Sequence, residues 1–133
     1  MFTFLEPWSS KLLSVLRIVT GLLFLEHGTQ KLLQFPVDPT KPAMSPALTS
    51  LPGIAGLMEL IGGTLIILGL FTRPVAFLLS GEMAVAYWMA HAPRSPFPVL
   101  NGGDAAIMFC FIFLYIAAAG PGPWSLDRAM KKA

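Results

Sequence analysis

Gly53-Ile-Ala-Gly-Leu-Met-Glu59-Leu-Ile-Gly-Gly-Thr-Leu-Ile-Ile-Leu-Gly-Leu-Phe71 is an apolar run whose only charge is the carboxylate of Glu59. Crossing the hydrocarbon core of a bilayer takes roughly 20 apolar residues at 1.5 Å each, so this run reads as a transmembrane helix. Three more stretches read the same way: Lys11–Leu33, Pro74–Ala92 and Gly102–Gly120. Hydrocarbon offers no water to unpaired peptide groups, so the spans must be helices. The fold class expected is all-α: an integral membrane four-helix transmembrane bundle, one domain over residues 1–133.

Composition agrees. Of 133 residues, 55% are hydrophobic and 12% charged, and mean hydropathy is +0.69. Soluble domains average about 25% charged residues. A net charge of +2 is too small to suggest nucleic acid as a partner. The lone Cys110 can form neither an internal disulfide nor a CxxC redox pair, and reads as a small buried hydrophobe. Phe2, Phe4, Leu5 and Trp8 beside Glu6 and Pro7 read as an interfacial lead-in to the first helix, not as a cleaved signal.

The connections are unequal. Phe71-Thr72-Arg73-Pro74 joins the second and third spans tightly, with Pro74 suited to a first helical turn. Two proline-rich loops, Gln34–Pro52 and Pro93–Asn101, lie together on the opposite side. Lys11, Arg73, Arg128, Lys131 and Lys132 fall on the side of the termini, and Lys31, Lys41 and Arg94 on the other. The positive-inside rule then puts both termini in the cytoplasm. Trp8 and Trp124 would sit at the inner interface and Trp88 nearer the outer one. No internal repeat is evident.

Three spans carry a glutamate well inside: Glu26, Glu59 and Glu82. Even lenient insertion scales charge roughly 2.5–3.5 kcal/mol for an acid at a helix centre. The carboxylates are therefore expected to meet each other, or basic partners, inside the bundle. Helical rise puts Glu26 roughly 10 Å below the outer face, counted from Leu33, and Glu59 roughly 9 Å below it, counted from Gly53. Glu82 lies deeper. His27, Lys31, His91 and Asp104 lie in the outer half or at its rim.

Phase points inward too. Ala55, Glu59 and Gly63 recur at i, i+4, i+8, as do Glu82, Ala86 and Ala90, and small residues beside a charge mark a helix contact. His27 and Lys31 share a face, as do Met83, Tyr87 and His91. The candidate polar pocket is Glu26, His27, Lys31, Glu59, Glu82 and His91, supported by Arg17, Tyr87 and Asp104.

A structural reading stands beside it. The acids can simply pair with Arg17, Lys31 or a histidine and fix helix register. Arg17 can snorkel to the terminal-side interface, Lys31 and Arg94 can anchor helices, and Asp104 can favour the dipole of the helix it opens. Two histidines without a fixed motif are weak grounds for a metal or haem, and neither is expected. Phosphate loops, GxGxxG, HExxH and nucleophile elbows are absent from the sequence. No residue is assigned as catalytic.

Arg17-Ile-Val-Thr-Gly21-Leu-Leu-Phe24-Leu-Glu-His27-Gly28-Thr-Gln-Lys31 resembles the first helix of the DoxX family. Glu59-Leu-Ile-Gly62-Gly63-Thr-Leu-Ile-Ile-Leu-Gly69-Leu-Phe-Thr-Arg73 resembles its second, and Glu82-Met83-Ala-Val-Ala86 with His91 its third. Gly120-Pro-Gly122-Pro-Trp-Ser-Leu-Asp127 resembles its tail. The resemblance implies a small four-helix bacterial inner-membrane protein. Some members are linked to sulfur oxidation as subunits of a thiosulfate:quinone oxidoreductase, and others to membrane complexes that handle oxidative stress. It implies no shared catalytic residues. The expected role is a membrane subunit or accessory protein of a quinone-linked or oxidative-stress redox system, with protein partners supplying the catalysis and a quinone as the cofactor class. A non-enzymatic scaffold, a small-solute or proton pathway, and a homo-oligomer stay open.

Overall fold

The computed structural model describes residues 1–43 and 45–131, and these are helical or irregular, with no strand among them. Lys132, counted above on the terminal face, lies outside the described residues. A 3₁₀ turn, Thr3–Trp8, leads into α1 (Ser9–Leu33). Then follow α2 (Leu51–Leu68), α3 (Thr72–Ala86), the short α4 (Pro98–Asn101), α5 (Asp104–Ala119) and α6 (Leu126–Lys131). A π-helical turn, Tyr87–His91, and a 3₁₀ turn, Ala92–Arg94, prolong α3.

Local chemistry sets the boundaries. Ser50 caps α2, its Oγ accepting from the Gly53 N–H at 3.2 Å, with Pro52 in the first turn. This starts the helix two residues before the expected Gly53. Gly69, at φ +67°, takes the left-handed position that ends α2, and the Leu70 N–H bonds back to the Leu65 carbonyl at 3.0 Å. The helix therefore stops short of Phe71. That residue is itself left-handed at φ +51°, a conformation uncommon for a bulky side chain.

α1 packs along α2 and α3 along α5, and the two pairs join through α2–α3 and α1–α5 contacts. Glycine makes the first contact close. A Cβ on Gly28 would stand 2.6 Å from the Leu60 nitrogen, and one on Gly63 would stand 3.0 Å from the Leu25 Cα. Between the pairs, Phe24 meets Phe113 and Phe109 edge to face at 4.9 and 5.4 Å, beside buried Ile66, Leu79 and Ile116.

The surface is inverted relative to a water-soluble protein. Along α1, Leu12, Val15, Leu16, Val19, Leu22 and Leu23 are exposed, whereas Ser14, Arg17 and Thr20 are buried. Phe77, Leu78 and Val85 of α3 and Met108, Phe111 and Leu114 of α5 are exposed as well. A continuous apolar exterior around a polar-seamed interior suits lipid as the solvent. The helix containing α1, Thr3–Leu33, and α2 are each long and apolar enough to cross a membrane; α5 is apolar but shorter.

Candidate functional site

The Gly28 contact presses the backbone of α1 against Glu59 of α2. Lys31, one turn further along the same face, is thereby brought to Glu59, with Nζ 2.5 Å from Oε1. Glu59 is 3% exposed and Lys31 29%. Glu82 of α3 lies within electrostatic range of both, with no ion pair inside 4.0 Å to Lys31. Glu59 Oε2 and both carboxylate oxygens of Glu82 are buried without a hydrogen-bond partner. Of the two acids, Lys31 thus pairs with Glu59 alone, and three of their four oxygens lack a donor. Lys31 also lines a cavity of about 200 Å³ with Gln30, Gln34, Asp38 and Lys41. Lys31 is the one member of the group in its wall, beneath the Gln34–Pro52 loop; neither glutamate lines it.

Glu26 and His27 do not join it; both are exposed. The expectation that Glu26 shares a pocket with Glu59 is corrected here. Equal depth says nothing about direction around the helix, and Glu26 lies two residues, about 200°, from the Gly28 seam. His27 donates from Nδ1–H to the Leu23 carbonyl at 2.7 Å and sets its ring edge-on to Phe109 at 5.8 Å. Asp104 is exposed at the start of α5.

His91 and Tyr87 belong to a separate network built on Asn101, a residue the sequence reading did not single out. Asn101 is 1% exposed. Its side-chain amide donates to the Tyr87 hydroxyl at 3.2 Å and to the Ser95 carbonyl at 3.0 Å, and its Oδ1 accepts from the Gly103 N–H at 2.8 Å. His91 donates from Nδ1–H to the Asn101 carbonyl at 3.0 Å, and its ring stacks on Tyr87 at 6.4 Å. A buried asparagine whose amide and carbonyl both bond fixes the 92–103 loop. Its signal in the sequence is Asn101-Gly-Gly, a turn motif with a polar side chain able to bond locally.

Arg17 does not snorkel. It is 0% exposed. Its guanidinium donates to the carbonyls of Ile66 at 2.7 Å, Ile67 at 2.9 Å, Pro121 at 2.9 Å and Trp124. Two of these are C-terminal carbonyls of α2, where the helix dipole favours a cation. Beside it, Asp127 accepts from the Phe71 and Thr72 N–H groups, both at 2.9 Å, and so holds the left-handed Phe71 and the start of α3. Burial pushes the Asp127 carboxyl up, but the Thr72 and Phe71 hydrogen bonds outweigh it and hold it below the usual carboxylate range. The Ser14 hydroxyl accepts from the Trp124 N–H at 3.1 Å. The tail is thus a clasp across α1, α2 and α3. Among the described residues, no group of three His, Cys, Asp or Glu is placed to hold a metal ion.

Residues 12–92, which carry Arg17, Lys31, Glu59 and Glu82, match the model of the DoxX family. The chain belongs to the DoxX family. This DoxX chain is 40% identical to an uncharacterized protein of Haemophilus influenzae, over 96% of its own length and 97% of the relative's. It is 33% identical to the inner membrane protein YphA of Escherichia coli, over 88% and 89% of the two chains. With an uncharacterized membrane protein of Mycobacterium tuberculosis it shares 32% identity over 88% and 80%. No solved structure matches it. Membership of a membrane-protein family agrees with the inverted surface.

Proposed function

We propose that this DoxX protein is a multi-pass inner-membrane subunit of a redox system, and that the Lys31–Glu59–Glu82 cluster receives a quinone-type headgroup. In this reading α1, α2, the prolonged α3 and α5 all cross the bilayer. Lys11, Arg73, Arg128 and Lys131 against Lys31, Lys41 and Arg94 favour cytoplasmic termini. The observation that carries the proposal is the set of three donorless carboxylate oxygens beside a lysine that opens to a cavity. Buried polar atoms without partners call for a donor, and the hydroxyls of a reduced headgroup are donors.

A quinone supplies two-electron, two-proton chemistry when bound, with electrons coming from a partner protein. The residues of this chain do the rest. Lys31 donates to a carbonyl oxygen of the headgroup, Glu59 orients Lys31, and Glu82 and Glu59 hold and pass protons toward the cavity under the outer loop. Hydrogen bonds to charged groups are worth about 1.5–3 kcal/mol, so Glu59→Gln and Glu82→Gln should each weaken binding of a short-chain quinone analogue by roughly 10- to 100-fold. The measurement is titration of purified protein, paired with quinone reduction in inner-membrane vesicles. Unchanged binding and turnover with normal complex assembly in both variants would overturn this reading in favour of a membrane scaffold.

A further inference from the structure

The face that carries the termini holds a second, larger recess. It measures about 730 Å³, within the roughly 300–1,000 Å³ typical of small-molecule sites. Its walls come from the start of α1, the α2–α3 turn, the end of α5, the tail and α6, with Ser10, Phe71, Arg73, Asp127, Arg128 and Lys131 among them. Three cations line it against one carboxylate, and both oxygens of that carboxylate are occupied by the Phe71 and Thr72 N–H groups. Arg73 is held in place by donating from Nη1 to the carbonyls of Ala117 at 3.0 Å and Ala118 at 2.5 Å. That leaves Nε and Nη2 without a hydrogen-bond partner among the described residues.

The two faces differ in how their cations are used. On the opposite face, Lys31 pairs with Glu59 at 2.5 Å and Lys41 with Asp38 at 3.5 Å. Arg73, Arg128 and Lys131 have no carboxylate within 4.0 Å among the described residues. Phe71, in the wall of the recess, is exposed, and so are Trp8 before α1 and Trp124 in the tail on the same face; aromatics of this kind settle at headgroup depth. A basic recess between membrane helices, with an exposed aromatic in its wall, fits a phosphate that carries acyl chains.

We propose that this recess binds the phosphate headgroup of an anionic phospholipid, with Arg73 as the fixed donor and Arg128 and Lys131 closing over the charge. The inference does not depend on the redox reading. Near an anionic surface each basic side chain contributes about fivefold. Purified full-length protein is titrated with phosphatidylglycerol, phosphatidylcholine or inorganic phosphate, and retention is read by native mass spectrometry. The same titration is run on a chain carrying Arg128→Gln and Lys131→Gln, two exposed residues whose side chains cap no helix, with the lipid-free melting temperature as a check on folding. The expected result is a tens-fold preference for phosphatidylglycerol over phosphatidylcholine, which falls by roughly 25-fold in the double variant. Equal retention of the two lipids, or a preference that survives the double substitution, overturns the site. Binding of inorganic phosphate as tight as that of phosphatidylglycerol overturns a lipid as its occupant.

Discussion

Replacing Arg17 with Met removes the guanidinium and leaves the carbonyls of Ile67, Pro121 and Trp124 without that donor, while the Ile66 carbonyl keeps only the Gly69 N–H at 3.1 Å. Hydrogen bonds from charged groups are worth about 1.5–3 kcal/mol each. Four of them would sum to about 6–12 kcal/mol, as much as the whole stability of many domains. The sum is too large, because one guanidinium serves all four, and three of the carbonyls are only partly buried and can turn to water. A buried acceptor left without its donor costs about 1–3 kcal/mol, and with the partly buried ones rescued by water the total here is about 3–5 kcal/mol. For a chain of this length, 1 kcal/mol moves the melting temperature by about 3–5 °C, so the expected fall is about 10–20 °C. Arg17→Lys keeps the charge but cannot span two helix-end carbonyls and two tail carbonyls at once, and should recover about half of the loss. The assay is thermal unfolding of purified protein in detergent, followed by tryptophan fluorescence. A variant Arg17→Met melting within about 2 °C of the parent would refute the reasoning, since it would mean that the clasp is not held by the arginine.

Glu82→Leu should be neutral, or stabilising by about 1–4 kcal/mol, because both Glu82 oxygens are buried without a donor; a large loss of thermal stability would reveal a partner absent from the geometry above. Gly28→Val should cost at least about 1–3 kcal/mol, since the new Cβ meets backbone rather than a yielding side chain, and the loss should appear as a lower melting temperature of the purified chain. Asp127→Ala should cost about 0.5–2 kcal/mol at pH 7, by analogy with the loss of a helix cap. Because the Asp127 carboxyl is held low in the folded protein, its contribution is complete at neutral pH. It fades below about pH 4, the unfolded value, and disappears as the pH falls through the folded value. The two chains should therefore converge in acid, and a gap that widens on acidification would contradict the assignment.

The helices were legible because each is a long apolar run between proline and glycine punctuation, and lipid forces such runs into helices. Their ends were less so. The stop of α2 at Gly69 depends on a left-handed residue, and the π-helical turn over Tyr87–His91 has no marker in the pattern. Within the acid cluster, the inward phase of Glu59 and Glu82 could be read from small residues at i+4. Glu26 misled because depth was used without direction; the seven-residue spacing of Gly21 and Gly28 marks the seam of α1 and leaves Glu26 off it. Arg17 and Asp127 act across more than 50 residues of sequence. A lone arginine in an apolar run carries no hint that its partners are carbonyls rather than acids.

The clasp also imposes an order on biosynthesis. Of these groups Arg17 leaves the ribosome first, its helix-end acceptors Ile66 and Ile67 follow, and Pro121 and Trp124 emerge only later. Until then a nascent chain holds a cation inside the membrane with half its ligands missing. Stalled or truncated products thus differ from finished ones by an incompletely solvated charge, a difference that a membrane protease could sense without recognising any particular sequence.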